Sequence, residues 1–281
     1  MMRVFLTGAT GYIGSAVVQE LINAGHQVVG LTRSDNGAAA LKEAGAQVHR
    51  GDLDDLESLR SGATAADGVI HLAFKHDFSD FAGSLACDLR AVQTMGAALE
   101  SSDKPYVTTV HANGEASDNV VLELAKRRVR TAVISLSPTV HGEGDKAFVP
   151  TLINIARMKG VSAYIGDGFN RWPAVHRLDA AHLYRLALEK APAGTMLYGR
   201  ADEGVPFRKI AEVIGKHLNL PVVSISREEA TAHFGFLGAI AALDIPSALP
   251  GTTAQTRELL GWQPVQLGLI EDLEQGYYFN D

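Results

Sequence analysis

The chain has 281 residues, a net charge of −7, and 46% hydrophobic against 20% charged residues, the balance of a soluble globular protein with room for a sizeable core. An acidic total argues against a nucleic-acid partner, which calls for a basic face. One cysteine, Cys87, excludes an intrachain disulfide and suits the reducing cytoplasm, and the longest nearly apolar run, 234–243, is about half a membrane span, so no membrane contact is expected.

Residues 3–6 read as a short apolar strand that runs into Thr7-Gly8-Ala9-Thr10-Gly11-Tyr12-Ile13-Gly14 and then a helix over 12–24, closed by Gly25. A strand turning sharply into a helix leaves the first helical N–H groups unpaired, with the positive end of the helix dipole facing outward. An anion fits there. The glycines stand three apart: Gly8 suits the tight turn, Gly11 the close approach of a pyrophosphate to backbone, and Gly14 close packing of helix on strand. The second strand, 27–32, ends Leu31-Thr32-Arg33-Ser34. A carboxylate at this point binds a free ribose 2′-hydroxyl and an arginine pairs with a 2′-phosphate. Arg33 with Ser34 therefore favours NADP, while Asp35 keeps NAD open.

A helix over 36–44 and a strand over 47–50 lead to Gly51-Asp52-Leu53-Asp54-Asp55, where Asp52 can accept from an adenine amino group and Asp54 and Asp55 cap a helix over 56–61. The fourth strand, 68–72, is apolar without alternation, as parallel strands covered on both faces are. A helix over 79–100, a strand over 106–110, a helix over 118–127 capped by Ser117 and a strand over 131–136 continue the pattern. Strands alternating with helices argue an α/β fold built on a doubly wound parallel sheet. After 144 the alternation loosens into helices at 149–159, 179–190, 207–218 and 253–260 joined by short extended pieces.

With TGATGYIG, GDLDD, HLA, VHGEGD, WPAVHRLDAAHLYRLALE and TRELLGWQP in that order, the chain resembles the NAD(P)-dependent epimerase/dehydratase family, the extended short-chain dehydrogenases, over nearly its whole length. The resemblance implies a Rossmann dinucleotide-binding domain over 1–145 and a smaller C-terminal α/β substrate-binding part over 146–281, some of whose elements return to the first domain. It implies pyrophosphate contacts from Gly8, Thr10, Gly11, Tyr12 and Ile13, and a ribose-phosphate contact from Arg33. Asp52 and Leu53 would meet the adenine, Leu72, Ala73 and Phe74 the ribose side, and Ser137, Pro138, Thr139 and Val140 the nicotinamide. Analogy of fold also suggests a homodimer through the helices at 79–100 and 118–127.

The catalytic centre departs from that pattern. Members carry a serine or threonine after strand five and then Y-x-x-x-K, the tyrosine handling a proton and the lysine lowering its pKa. Here Thr109 supplies the hydroxyl, but aligning Ala116-Ser117-Asp118 with the family's small-Ser-Lys puts Gly114 where tyrosine belongs and Asp118 where lysine belongs. The connection from Val110 to Ser117 is also short for the family. His111, just past strand five, is the candidate replacement proton carrier. His141, His176, Arg171 and Trp172 are further candidates for substrate contact. Two readings follow: an NADP-linked oxidoreductase on a small carbonyl compound, with Thr109 polarising the carbonyl and His111 or a water in place of the tyrosine, or a dinucleotide-binding sensor or scaffold. No H-E-x-x-H, cysteine cluster or G-x-S-x-G occurs, so neither a metal site nor a nucleophile elbow is expected.

Overall fold

The computed structural model describes residues 1–77, 79–248 and 251–280, and the chain divides into two compact units. The first comprises Met1–Leu136, Ala180–Gly199 and Ala254–Gln263; the second comprises Ser137–Asp179, Arg200–Thr253 and Pro264–Asp281.

In the first unit, β1 (Arg3–Thr7), α1 (Tyr12–Asn23), β2 (Gln27–Thr32), α2 (Asp35–Glu43), β3 (Gln47–Arg50), α3 (Leu56–Thr64), β4 (Gly68–His71), α4 (Phe81–Leu99), β5 (Pro105–Thr109), α5 (Glu115–Leu124) and β6 (Arg130–Leu136) follow one another. Their strands pair in parallel in the order β3-β2-β1-β4-β5-β6, the doubly wound Rossmann order, and a seventh parallel strand (Thr195–Gly199) joins beside β6. The lack of alternation seen in the sequence has its cause here. All four residues of β4 are buried, and Phe5, Leu59, Val69, Met95, Tyr106 and Val133 share one core between sheet and helices. At roughly 25 cal/mol per Å² of apolar surface removed from water, such residues supply most of the drive to fold.

Two boundaries differ from the sequence pattern for a local reason. Helix α5 begins at Glu115, three residues before the predicted start, because Gly114 serves as its N-cap residue and its carbonyl accepts the Ser117 and Asp118 N–H groups. Ser117 therefore lies inside the first turn and caps nothing. Helix α3 runs on to Thr64, one turn beyond expectation, burying Gly62 and Ala63.

In the second unit, β7 (Thr139–His141), α6 (Phe148–Lys159), β8 (Ser162–Ile165) and β9 (Arg171–His176) are followed by α7 (Arg177–Lys190), whose residues from Ala180 belong to the first unit. The seventh strand of the large sheet is β10; β11 (Asp202–Pro206), α8 (Phe207–Leu218) and β12 (Val222–Ile225) return to the second unit. These extended pieces form a three-stranded sheet, β11-β9-β7, and a parallel pair, β12-β8. Trp172, Phe207, Ile210, Ile214, Leu152 and Leu237 form their own core, with Trp172 and Phe207 edge to face at 5.0 Å. Among the described residues no helix is long and apolar enough to cross a membrane.

Candidate functional site

The turn after β1 is shaped by backbone alone. Gly8 has φ +70°, and a Cβ there would lie 2.7 Å from the Ala73 nitrogen; a Cβ on Gly14 would lie 2.0 Å from the Gly8 carbonyl oxygen. Neither position has room for a methyl group, so α1 starts directly against the turn. Gly14 thus packs on the turn more than on the strand. Gly11 is the N-cap residue and brings no side-chain cap to the first turn, and Thr10, Gly11, Tyr12 and Ile13 all reach the surface. An open helix start above a tight glycine turn fits a pyrophosphate.

Around that turn the other predicted cofactor residues of the first unit gather at neighbouring strand ends. Arg33 follows β2 and is exposed. One Asp52 oxygen accepts the Asp54 and Asp55 N–H groups at 2.8 and 3.1 Å, which fixes the carboxylate and leaves its second oxygen for an amino group. Leu53 is buried beside it, and Leu72, Ala73 and Phe74 continue from β4, half-buried. These residues fit an adenine dinucleotide. Ser137, Pro138, Thr139 and Val140 belong to the second unit, where Thr139 and Val140 pair with Ala174 and Val175 of β9. The Thr139 hydroxyl is buried without a hydrogen-bond partner among the described residues.

Beneath the turn lies a polar chain that the sequence pattern did not reveal. Thr7 Oγ1 accepts the Leu72 and Ala73 N–H groups, each at 3.2 Å, so its own hydrogen goes to His71 Nδ1 at 2.6 Å. His71 must then carry its hydrogen on Nε2, which donates to Asp88 Oδ1 at 3.1 Å; the Ser117 hydroxyl donates to Asp88 Oδ2 at 2.6 Å. Burial works to raise the Asp88 pKa, and the hydrogen bonds from His71 and Ser117 outweigh it, leaving the carboxyl below its usual range. Asp88 is 2% exposed. Each of these residues reads alone as ordinary core, and only their meeting across four segments shows the network.

Above Asp88 sits the candidate catalytic segment. His111 stacks on Phe74 with ring centres 4.1 Å apart, and its Nε2 lies 3.8 Å from Asp88 Oδ1. Burial pushes the imidazole down to about 4, the Asp88 charge pulling the other way without prevailing. Asp118 moves oppositely: burial, then Asp88 and Glu115, push its carboxyl up to about 6. Thr109, at the end of β5, does not stand free. Its hydroxyl lies 2.7 Å from the Tyr184 hydroxyl and 3.5 Å from the His71 carbonyl oxygen. Tyr184 is fully buried, which holds its phenol well above the ordinary range. It sits on α7, 75 residues away, and no local motif marks it.

The candidates of the second unit have structural partners. His141 is fully buried, with Nδ1 2.7 Å from Asp272, and His176 meets its ring edge-on at 5.3 Å. Arg171 pairs twice with Asp244, at 2.9 and 2.8 Å, and Trp172 is core. Among the described residues no group of three or more His, Cys, Asp or Glu side chains is placed to hold a metal ion.

Comparison with known proteins agrees with this geometry. Residues 4–137 match the model of the NAD dependent epimerase/dehydratase family. An uncharacterized protein of Schizosaccharomyces pombe, C2A9.02, is 45% identical over 299 aligned positions, covering 99% of this chain and 100% of its own length. A 2-alkyl-3-oxoalkanoate reductase of Stenotrophomonas maltophilia is 26% identical over 268 positions, covering 83% of this chain and 80% of its own. Among solved structures, DesIV of Streptomyces venezuelae, a dTDP-glucose 4,6-dehydratase with NAD and TYD bound, superposes with a TM-score of 0.74 at 17% identity, over 98% of this chain and 95% of that one.

Proposed function

For a chain that belongs to the NAD dependent epimerase/dehydratase family and has an NAD(P)-binding fold, we propose an NADP-linked oxidoreductase that reduces a small carbonyl compound without the family's tyrosine and lysine. The observation that carries this reading is the Thr109–Tyr184 hydroxyl pair. Tyr184 keeps its proton across the working pH range and donates to Thr109, whose own O–H then has, among the described residues, the distant His71 carbonyl at 3.5 Å as its rival acceptor. Turned outward, that O–H donates to a substrate carbonyl oxygen as negative charge develops on it, the contribution an oxyanion donor makes. Gly8, Thr10, Gly11, Tyr12 and Ile13 would hold the pyrophosphate, Asp52 the adenine and Arg33 the 2′-phosphate. The reduced nicotinamide, when bound, supplies the hydride.

Burial keeps His111 unprotonated at neutral pH, so a water gives the proton that completes the alcohol and takes it back in the reverse reaction, with His111 as an acceptor that can orient that water. The relative named as a 2-alkyl-3-oxoalkanoate reductase supports a carbonyl substrate. The lone buried thiol, Cys87, supports the cytoplasm as the place of action.

A panel of aldehydes and ketones with NADPH tests the proposal. Turnover is expected with at least one, falling at least about tenfold in Thr109→Val and several-fold in Tyr184→Phe, with cofactor affinity unchanged. The second reading, a cofactor sensor, is favoured by the carboxylate of Asp118 standing where the family has a lysine. NADPH bound at micromolar concentration with no carbonyl consumed would select it.

A further inference from the structure

Strands β2 and β3 run in parallel with Thr32 opposite Arg50, and the Gly51 N–H donates to the Thr32 carbonyl at 3.3 Å. The two strand ends are therefore neighbours, and the chain enters Arg33 from one and leaves Arg50 at the other. Arg33 is exposed and has no side-chain partner among the described residues. Arg50 is hydrogen-bonded through Nη2 to Asp35, the first residue of α2. Their side chains are 50% and 96% exposed, and an ion pair so exposed adds little stability and is readily exchanged.

A ribose 2′-phosphate brings nearly two negative charges and three strong acceptor oxygens to this place. Arg33 alone leaves half of that charge unmatched. We infer that Arg50 is a second ligand of the 2′-phosphate and that Asp35 sets the choice of cofactor, holding Arg50 by a carboxylate that the phosphate must displace. The inference rests on the proposed use of NADP. With NADH, Asp35 keeps its hold on Arg50 and neither residue meets the ligand. With NADPH, Arg50 exchanges one carboxylate for a better-matched bidentate acceptor, while Asp35, now unpaired beside a phosphate, works against binding. Asp35 is thus a tax on NADPH that NADH does not bear.

The test is fluorescence titration of the full-length protein with NADPH and NADH, for the parent chain and for Arg33→Ala, Arg50→Ala, Arg50→Lys, Asp35→Asn and the Arg50→Ala/Asp35→Asn pair. Arg50→Ala is expected to weaken NADPH about fivefold to tenfold and leave NADH within about twofold, with Arg50→Lys in between because it keeps charge and loses the planar fork. Asp35→Asn is expected to tighten NADPH about threefold without changing NADH, and the gain in the double variant differs from it because no ion pair is left to break there. A thermal melt of each variant separates binding from folding, and Arg50→Lys stands in should Arg50→Ala unfold. If Arg33→Ala selectively weakens NADPH while Arg50→Ala weakens neither cofactor or both alike, the second ligand falls and the NADP reading stands. Equal losses for both cofactors in Arg33→Ala overturn the NADP reading itself. Weaker NADH binding in Asp35→Asn makes Asp35 a ribose-hydroxyl ligand and overturns its role as selector.

Discussion

The exits of β1 and β5 belong to the same unit and obey the same rule, a parallel strand handing the chain to a helix, yet they are built from different materials. After β1 the shape is backbone: Gly8 and Gly14 leave no space for a methyl group, and the start of α1 is open. After β5 the shape is side chain: Thr109 leans on Tyr184, His111 on Phe74, and Ser117 on Asp88. A backbone-built site depends on a few glycines and tolerates change elsewhere. A side-chain-built site can lose its proton donor by single substitutions while the neighbouring cradle stays intact, which is how the proposed function reads Gly114 and Asp118.

The sharpest way to break this contrast is Gly14→Ala. A Cβ 2.0 Å from the Gly8 oxygen forces the helix off the turn, with an expected destabilisation of about 3 kcal/mol or more and loss of NADPH binding, read by denaturant melts and titration. Normal binding by that variant would show that the turn is not limited by backbone space.

Smaller effects separate the two titrating groups of the β5 exit. The Asp118 carboxyl has a folded pKa of about 6 against an ordinary 3.8, so the folded state holds a proton the unfolded chain has lost between those values. Its contribution is full below the lower value and disappears as pH rises through the upper one. Asp118→Asn is therefore expected to stabilise the protein by about 1 to 3 kcal/mol at pH 8 and to be neutral near pH 3.5. A melt series that shows no pH trend would refute the assignment. His111 has the opposite sign: depressed to about 4 from 6.5, it stays neutral while the unfolded chain takes up a proton, so stability is lost as pH falls from 6.5 towards 4. His111→Gln should flatten that part of the curve by about 1 to 3 kcal/mol, an effect of the same size.

The fold was legible because its signals are local. Apolar runs at 4–6 and 68–72, glycine at 8, 11 and 14, and a cap such as Asp55 act within a few residues, and apart from the start of α5 and the end of α3 the elements of the first unit fall close to where those patterns place them; Ser34, read with Arg33 as a phosphate contact, is instead the cap of α2, accepting the Gly37 N–H. The shape of the glycine turn was legible for the same reason. The β5 exit was not, since its partners come from other elements: Ser117, read as a cap, bonds to Asp88 29 residues earlier, and Thr109 meets Tyr184 75 residues later. Periodicity marks Tyr184 and Asp88 only as helical residues. What they touch is decided by the order of strands in the sheet, which no window of sequence contains.

The chain from Thr7 through His71 and Asp88 to Ser117 bears also on how the protein comes into being. As synthesis proceeds from the N-terminus, β1 and its glycine turn leave the ribosome long before their brace does. Until β4 has followed, Thr7 lacks the groups that complete its hydrogen bonds, and until α4 and the first turn of α5 have followed, His71 and Asp88 lack theirs. The glycine turn, first in the sequence, is thus braced only after α4 and the start of α5 have emerged, although it is made before any of them.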